Sequence, residues 1–118
     1  MAQSDFNLVP INHKFTVTAP TKTVSFPIEG TQTPVDDGYL VIQVKGVQLS
    51  SHQVKINGIH LGGSDLLPAP LNSQAWLCWM DRIQPNVLKA GGNDITITRI
   101  GDDDFEIGNV VVNWRENA

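Results

Sequence analysis

Cys78 and several Ser and Thr residues are the nucleophiles this sequence offers, with His13, His52 and His60 as its imidazoles. Nucleophilic catalysis needs one of them framed by a strained turn and held by a base, and no nucleophile elbow or comparable context surrounds any of them. Cys78 lies between Leu77 and Trp79 in an apolar stretch, where a free cysteine behaves as a small buried hydrophobe, so an inert core thiol is expected. There is no His-x-x-x-His, no second cysteine and no Walker-type loop. Gly62-Gly63 and Gly91-Gly92 fit turns before strands, with no helix after them to receive a phosphate. The expectation is a protein without enzymatic activity.

Binding chemistry is better represented. Asp102, Asp103, Asp104 and Glu106 crowd one turn, and carboxylate oxygens with loop carbonyls are what calcium requires. Consecutive strand residues point to opposite sides, so about two of the four side chains could converge on one ion. The alternative is a solvated acidic turn, in which Asp103→Asn is neutral or slightly stabilising because it relieves screened repulsion. Calcium is the one candidate ion, and no other cofactor is expected. Asp36-Asp37-Gly38 suits an ordinary turn. Trp76 and Trp79 have opposite strand parity, so one ring points into the core and the other out of it. The outward ring could stack on a pyranose, anchor a protein interface, or be covered by Leu66, Leu67 and Leu71 of the intervening loop. Tyr39 and His60 complete the ligand or interface candidates. His60 is first of all a cross-strand partner of Lys55.

The charge balance limits the partners. Eight Lys and Arg face twelve Asp and Glu in 118 residues, a net charge of −4 with no basic run. The electrostatic term behind non-specific nucleic-acid and anionic-membrane binding is therefore missing, and neither partner is expected. A lone cysteine excludes an intramolecular disulfide. The first residues carry no basic start and no apolar run of signal-peptide length, so the expected location is cytoplasmic, or outside after release without a cleaved signal.

The elements that must position these residues follow a period of two. Phe15 and Val17, then Val24, Phe26 and Ile28, alternate with polar residues, and Pro27 predicts that the second of these strands lies at an edge or ends there. Residues 1–12 are expected as a loosely attached segment and Thr31 to Gly38 as a loop, with one domain over 13–118. The run from Tyr39 to Val44 is apolar on both faces at first, which predicts a central strand covered on two sides, with Leu40, Ile42 and Val44 inward. Apolar parity changes at Gly46 and again at Gly108, which predicts a bulge at each. Asn57-Gly58 predicts a two-residue type I′ hairpin pairing Ile56 with Ile59, Val54 with Leu61 and Lys55 with His60. Gly62 to Ser73 is too long and too rich in Gly and Pro for a tight turn, and predicts an irregular crossing. Gln74 to Met80 is a further strand, Pro85 to Leu88 one helical turn, and 94–100 with 105–115 the last hairpin, around Gly101 to Asp104. Seven or eight short strands without a helix of ordinary length predict an all-β, antiparallel two-sheet β-sandwich.

The succession Ile-Asn-Gly-Ile-His-Leu at 56–61, Trp-Leu-Cys-Trp at 76–79, Ile83 and Leu88, Gly-Gly-Asn-Asp-Ile-Thr-Ile at 91–97 and Asp-Phe-Glu-Ile-Gly-Asn-Val-Val-Val at 104–112 resembles the galactose-binding-domain-like jelly rolls. These occur in carbohydrate-binding modules, discoidin-type lectin domains and accessory domains of glycoside hydrolases. The resemblance spans roughly residues 15 to 114. It implies a jelly-roll sandwich and a non-catalytic, lectin-like module that binds a glycan through end loops and an exposed Trp. No sugar-contact motif transfers residue by residue, and fold alone does not carry function. The alternative, from the missing catalytic constellation and an unexplained outward aromatic, is a structural subunit of a homo-oligomer or larger protein assembly.

Overall fold

The computed structural model describes residues 2–29, 33–61, 66–70 and 73–117. Alternating apolar residues give eight strands: β1 (Ala2–Phe15), β2 (Thr21–Ile28), β3 (Pro34–Lys45), β4 (Gln53–Ile56), β5 (Ile59–His60), β6 (Leu77–Ile83), β7 (Gly91–Thr98) and β8 (Phe105–Asn117). They pair antiparallel into two four-stranded sheets, in the orders β1-β8-β3-β6 and β2-β7-β4-β5. Val9, Leu40, Ile42, Val110 and Val112 of the first sheet form one buried cluster with Phe26, Ile28, Val54, Ile56, Ile95 and Ile97 of the second. The fold is the expected all-β two-sheet sandwich, with no helix among the described residues.

Local chemistry explains several joints. Asn57 and Gly58 sit at φ +54° and +77°, as a type I′ turn requires, and pair Ile56 with Ile59 and Lys55 with His60. Asn57 does more than turn the chain. Its Oδ1 accepts from Asp94 N at 2.9 Å, and its Nδ2 donates to Val87 O and to Asn93 Oδ1, each at 2.8 Å. The buried Asn93 also donates to Lys89 O and accepts from Lys89 N, so the 85–90 turn is held by side-chain amides. That segment forms turns and no helical turn, with Asn86 at φ +70°. Pro27 lies in β2 at a sheet edge, where its missing N–H costs no ladder bond.

Other expectations are corrected. Residues 2–12 are not loose: they belong to β1, paired with β8 from Ala2 opposite Asn117 onward, with Val9 and Ile11 in the core. β3 begins at Pro34, inside the stretch expected as a loop, and accommodates two extra residues between Val35 and Tyr39, where Asp36 takes φ +58°. Gly46 ends β3 in a turn at φ +84° and makes no bulge. The Gly108 bulge is present: Ile42 pairs with Val110 but Val44 with Ile107, so β8 carries one extra residue against β3. β1 carries the compensating extra residue against β8, between Pro10 and His13. Residues 94–100 and 105–115 make no hairpin, because β7 and β8 lie in different sheets and the chain crosses between them at 99–104. Of the stretch expected as an irregular crossing, Leu66 is buried in the main core and Leu67 is exposed, while residues 62–65, 71 and 72 lie outside the described residues.

Gly38 marks a close approach of β3 to β8, since a Cβ there would stand 2.5 Å from Asn113 O, a backbone atom with no freedom to withdraw. Gly38→Ala is therefore expected to lose about 1–3 kcal/mol in urea unfolding, as overpacking does. Ser25→Ala, on the exposed edge strand β2, removes one solvent-facing hydrogen bond to Asp94 and is expected to stay within about 0.5 kcal/mol.

Candidate binding face

The sheet β1-β8-β3-β6 has one face in the core and one with no layer outside it among the described residues. Inter-strand register orders the outward side chains into rows. Leu8, Val111, Val41 and Met80 stand side by side across all four strands. Phe6, Asn113, Tyr39 and Arg82 form the next row toward one end, with Ser4 and Arg115 beyond it. Toward the other end Pro10 pairs with Asn109 and Gln43 with Cys78, and past the bulges Lys14, Glu106 and Lys45 pair across three strands. The centre of the face is apolar and open: Met80 is 71% exposed, Phe6 65%, Leu8 53% and Tyr39 46%.

Gln43 shows how the bulge is maintained here. Its Oε1 accepts from Asn109 N at 3.2 Å, satisfying a donor that the irregular ladder leaves over, and it occupies the space into which any Cβ on residue 108 would project. At the end nearest Asp37, Arg82 donates through Nε and Nη2 at 2.7 and 3.0 Å. This bidentate bond, with the guanidinium charge, holds the Asp37 carboxyl below its usual range. Both groups are about half exposed, so the pair orders the rim more than it stabilises the fold. At the opposite end Lys14, Lys45, Gln48, Gln74, Asp104 and Glu106 line a basin of about 340 Å³. Trp76, 45% exposed, stands beside it with Lys45 Nζ 5.7 Å from its ring centroid, within cation–π range.

The residues singled out in the sequence separate. Trp76 is the outward tryptophan. Trp79 packs half-buried against the core opposite Ile42, with no hydrogen-bond partner for Nε1 among the described residues. Tyr39 lies on the open face. His60 lies on the outer strand of the other sheet, opposite Lys55, far in the topology from both aromatics. Cys78 is exposed on the open face, contrary to the expected core thiol, because Leu77 and Trp79 take the inward parity of β6. The apolar run from Tyr39 is covered on one side only. Phe6, Leu8 and Met80 complete the patch, and no local sequence pattern marks them as site residues because their partners are far apart in sequence.

The acidic quartet does not converge. Asp103 turns inward, where its Oδ2 accepts from Gln48 N at 2.8 Å, Leu49 N at 3.0 Å and His52 Nε2 at 2.7 Å. His52 Nδ1 accepts from Ile100 N at 3.0 Å, which places the ring proton on Nε2 and makes it the donor to Asp103. Asp104 turns outward to Arg99 Nη2 at 3.1 Å, Glu106 lies in the charged row of the face, and Asp102 is exposed. Among the described residues no group of three or more His, Cys, Asp or Glu could hold a metal ion.

Residues 5–116 match a protein family described as a family of unknown function, DUF7383. The chain belongs to that family. No curated protein matches the sequence. Among solved structures, dimeric latent PorU from Porphyromonas gingivalis contains a region similar in fold, with a TM-score of 0.67 at 14% identity. The match covers 98% of this chain and 13% of PorU, so the chain spans about an eighth of that protein. At this identity the likeness concerns the sandwich alone.

The inward turn of Asp103 reverses what a solvated tip would do on mutation. Asp103→Ala leaves the buried His52 Nε2 and the part-buried Gln48 and Leu49 N–H groups without their acceptor and is expected to cost about 2–4 kcal/mol in chemical denaturation. Asp103→Asn, which keeps one acceptor oxygen but loses its charge, should cost about half of that, while Asp102→Asn stays within about 0.5 kcal/mol. Equal stability of all three variants would show that the pair with His52 does not hold this end.

Proposed function

We propose that this protein is a non-catalytic structural subunit that docks against protein through the outer face of β1-β8-β3-β6. One observation carries the reading: the row Leu8, Val111, Val41 and Met80, flanked by Phe6 and Tyr39, makes an apolar band across every strand of the sheet. Soluble monomers scatter their exposed apolar residues, whereas a contiguous band with a polar rim is the composition of an interface core. Met and aromatic residues are enriched at such interfaces, and Met80, Phe6 and Tyr39 supply them. Arg82 with Asp37 at one end and Lys14, Glu106 and Lys45 at the other supply the rim.

A glycan-binding reading is favoured by a different observation, the half-exposed Trp76 beside a basin with carboxylates, amides and lysines to meet hydroxyl groups. The resemblance to galactose-binding-like jelly rolls adds to it at fold level only. Lys45 already occupies one side of the Trp76 ring, which leaves the indole less open to a sugar than the apolar band is to a protein. If the glycan reading holds, an array with and without calcium gives signals that Trp76→Ala abolishes and Met80→Lys leaves intact.

The docking reading is tested with a photo-cross-linking residue placed at position 80 and, as control, at position 60 on the opposite sheet. Adducts to protein, identified by mass spectrometry of the producing cells, are expected from position 80 and not from position 60. Absence of protein adducts at position 80 would refute the reading.

A further inference from the structure

Resting on the docking reading, we infer that the occupant of this face is a second copy of the chain, seated about a two-fold axis that runs across the strands at the Val111 row. Such an axis lays each strand antiparallel over its own copy and exchanges the two ends of the face. Val111, Val41, Leu8 and Met80 then meet themselves, so the apolar row lies on an apolar row. The row of Phe6 lies over the row of Pro10. Arg115, two rows to one side of Val111, comes over Glu106, two rows to the other side, because the bulge at 108–109 gives β8 the one extra residue that equalises the distances. The contact is isologous, so it forms twice and closes.

Two features of the face favour this occupant. The first is charge. Neither Arg115 nor Glu106 has a side-chain ion pair or hydrogen bond within its own chain among the described residues. The axis brings each to the other across the contact, with Lys14 and Lys45 flanking Glu106 on the neighbouring strands. Two sheets packed face to face rotate by about 30°, an offset that a long arginine side chain can follow. The second is area. Four strands at about 4.8 Å and ten residues of length at about 3.4 Å give a footprint of roughly 650 Å² per copy, or about 1,300 Å² in the pair, within the range of specific complexes.

Sedimentation equilibrium of the full chain, from low micromolar to near-millimolar concentration, tests the inference. Wild type is expected to reach twice the monomer mass, and Arg115→Glu or Glu106→Arg to weaken the dimer by about tenfold or more by opposing like charges at both symmetric contacts. The double variant Arg115→Glu with Glu106→Arg is expected to recover the wild-type dimer to within about threefold. Unchanged thermal unfolding of the dilute single variants separates this loss from misfolding. A wild type that stays monomeric throughout, or a double variant that remains as weak as the singles, overturns the inference. If the monomeric wild type still gives protein adducts from position 80, the two-fold pairing fails while the docking reading stands. If neither dimer nor adduct forms, both fail.

Discussion

A single carboxylate oxygen, Asp103 Oδ2, joins the two places where the chain changes sheet at one end of the sandwich. β3 leads into β4 through residues 46–52, and β7 leads into β8 through 99–104. Gln48 N, Leu49 N and His52 Nε2 of the first crossing all donate to Asp103 of the second. Ile100 N donates back to His52 Nδ1, and Arg99 Nε to Asp103 O at 2.8 Å. In a crossing segment these N–H groups have no ladder partner, so a buried acceptor is what permits the crossing. Phe105 follows directly, in contact with His52 at 4.2 Å and stacked on Phe15 at 4.7 Å, so the polar clamp sits against an aromatic column that closes the core.

The clamp also sets where β8 starts, and β8 organises the sheet that carries the candidate face. It pairs with β1 on one side and β3 on the other along most of its length. The bulge at 108–109 changes its parity: Phe105 and Ile107 are inward before it, Val110, Val112 and Trp114 after it. Val111 and Asn113 are thereby turned outward to meet Leu8, Val41, Phe6 and Tyr39. Gln43 stabilises the irregularity from the open face by accepting Asn109 N. The strand that builds the core and the strand that builds the apolar band are thus the same strand.

This division gives the two sheets different characters. On β2-β7-β4-β5 the outward positions described are polar or hydroxylic apart from Pro27 and Gly92, with Thr23 and Thr96 hydrogen-bonded to each other at 2.9 Å and Ser25 donating to Asp94 at 2.6 Å. Such a face is satisfied by itself and by water. The outward face of β1-β8-β3-β6 has apolar groups where the other has hydroxyls, and only its ends carry charge. A protein with one satisfied and one unsatisfied face has a direction in which to associate, which is the physical content of the structural-subunit reading.

Local sequence chemistry was sufficient for the sandwich, the Asn57-Gly58 hairpin with its register, the edge position of β2 and the bulge at Gly108, because each depends on near neighbours: side-chain alternation, positive φ, or a missing N–H. β1 was hidden, since Phe6 and Leu8 face outward while Val9 and Ile11 face inward, and apolar residues on both parities cancel the period of two. The acidic turn looked like a hairpin tip because Asp102, Asp103 and Asp104 are indistinguishable by type. Only the crossing between sheets decides that the middle one meets His52, fifty-one residues away. Cys78 and the run from Tyr39 escape a local reading for a related reason: hydrophobicity reports that a strand can be buried, not that a second layer exists to bury it. Position within the sheet is a property of pairings between distant strands, and those alone turned Phe6, Leu8, Tyr39 and Met80 into one surface.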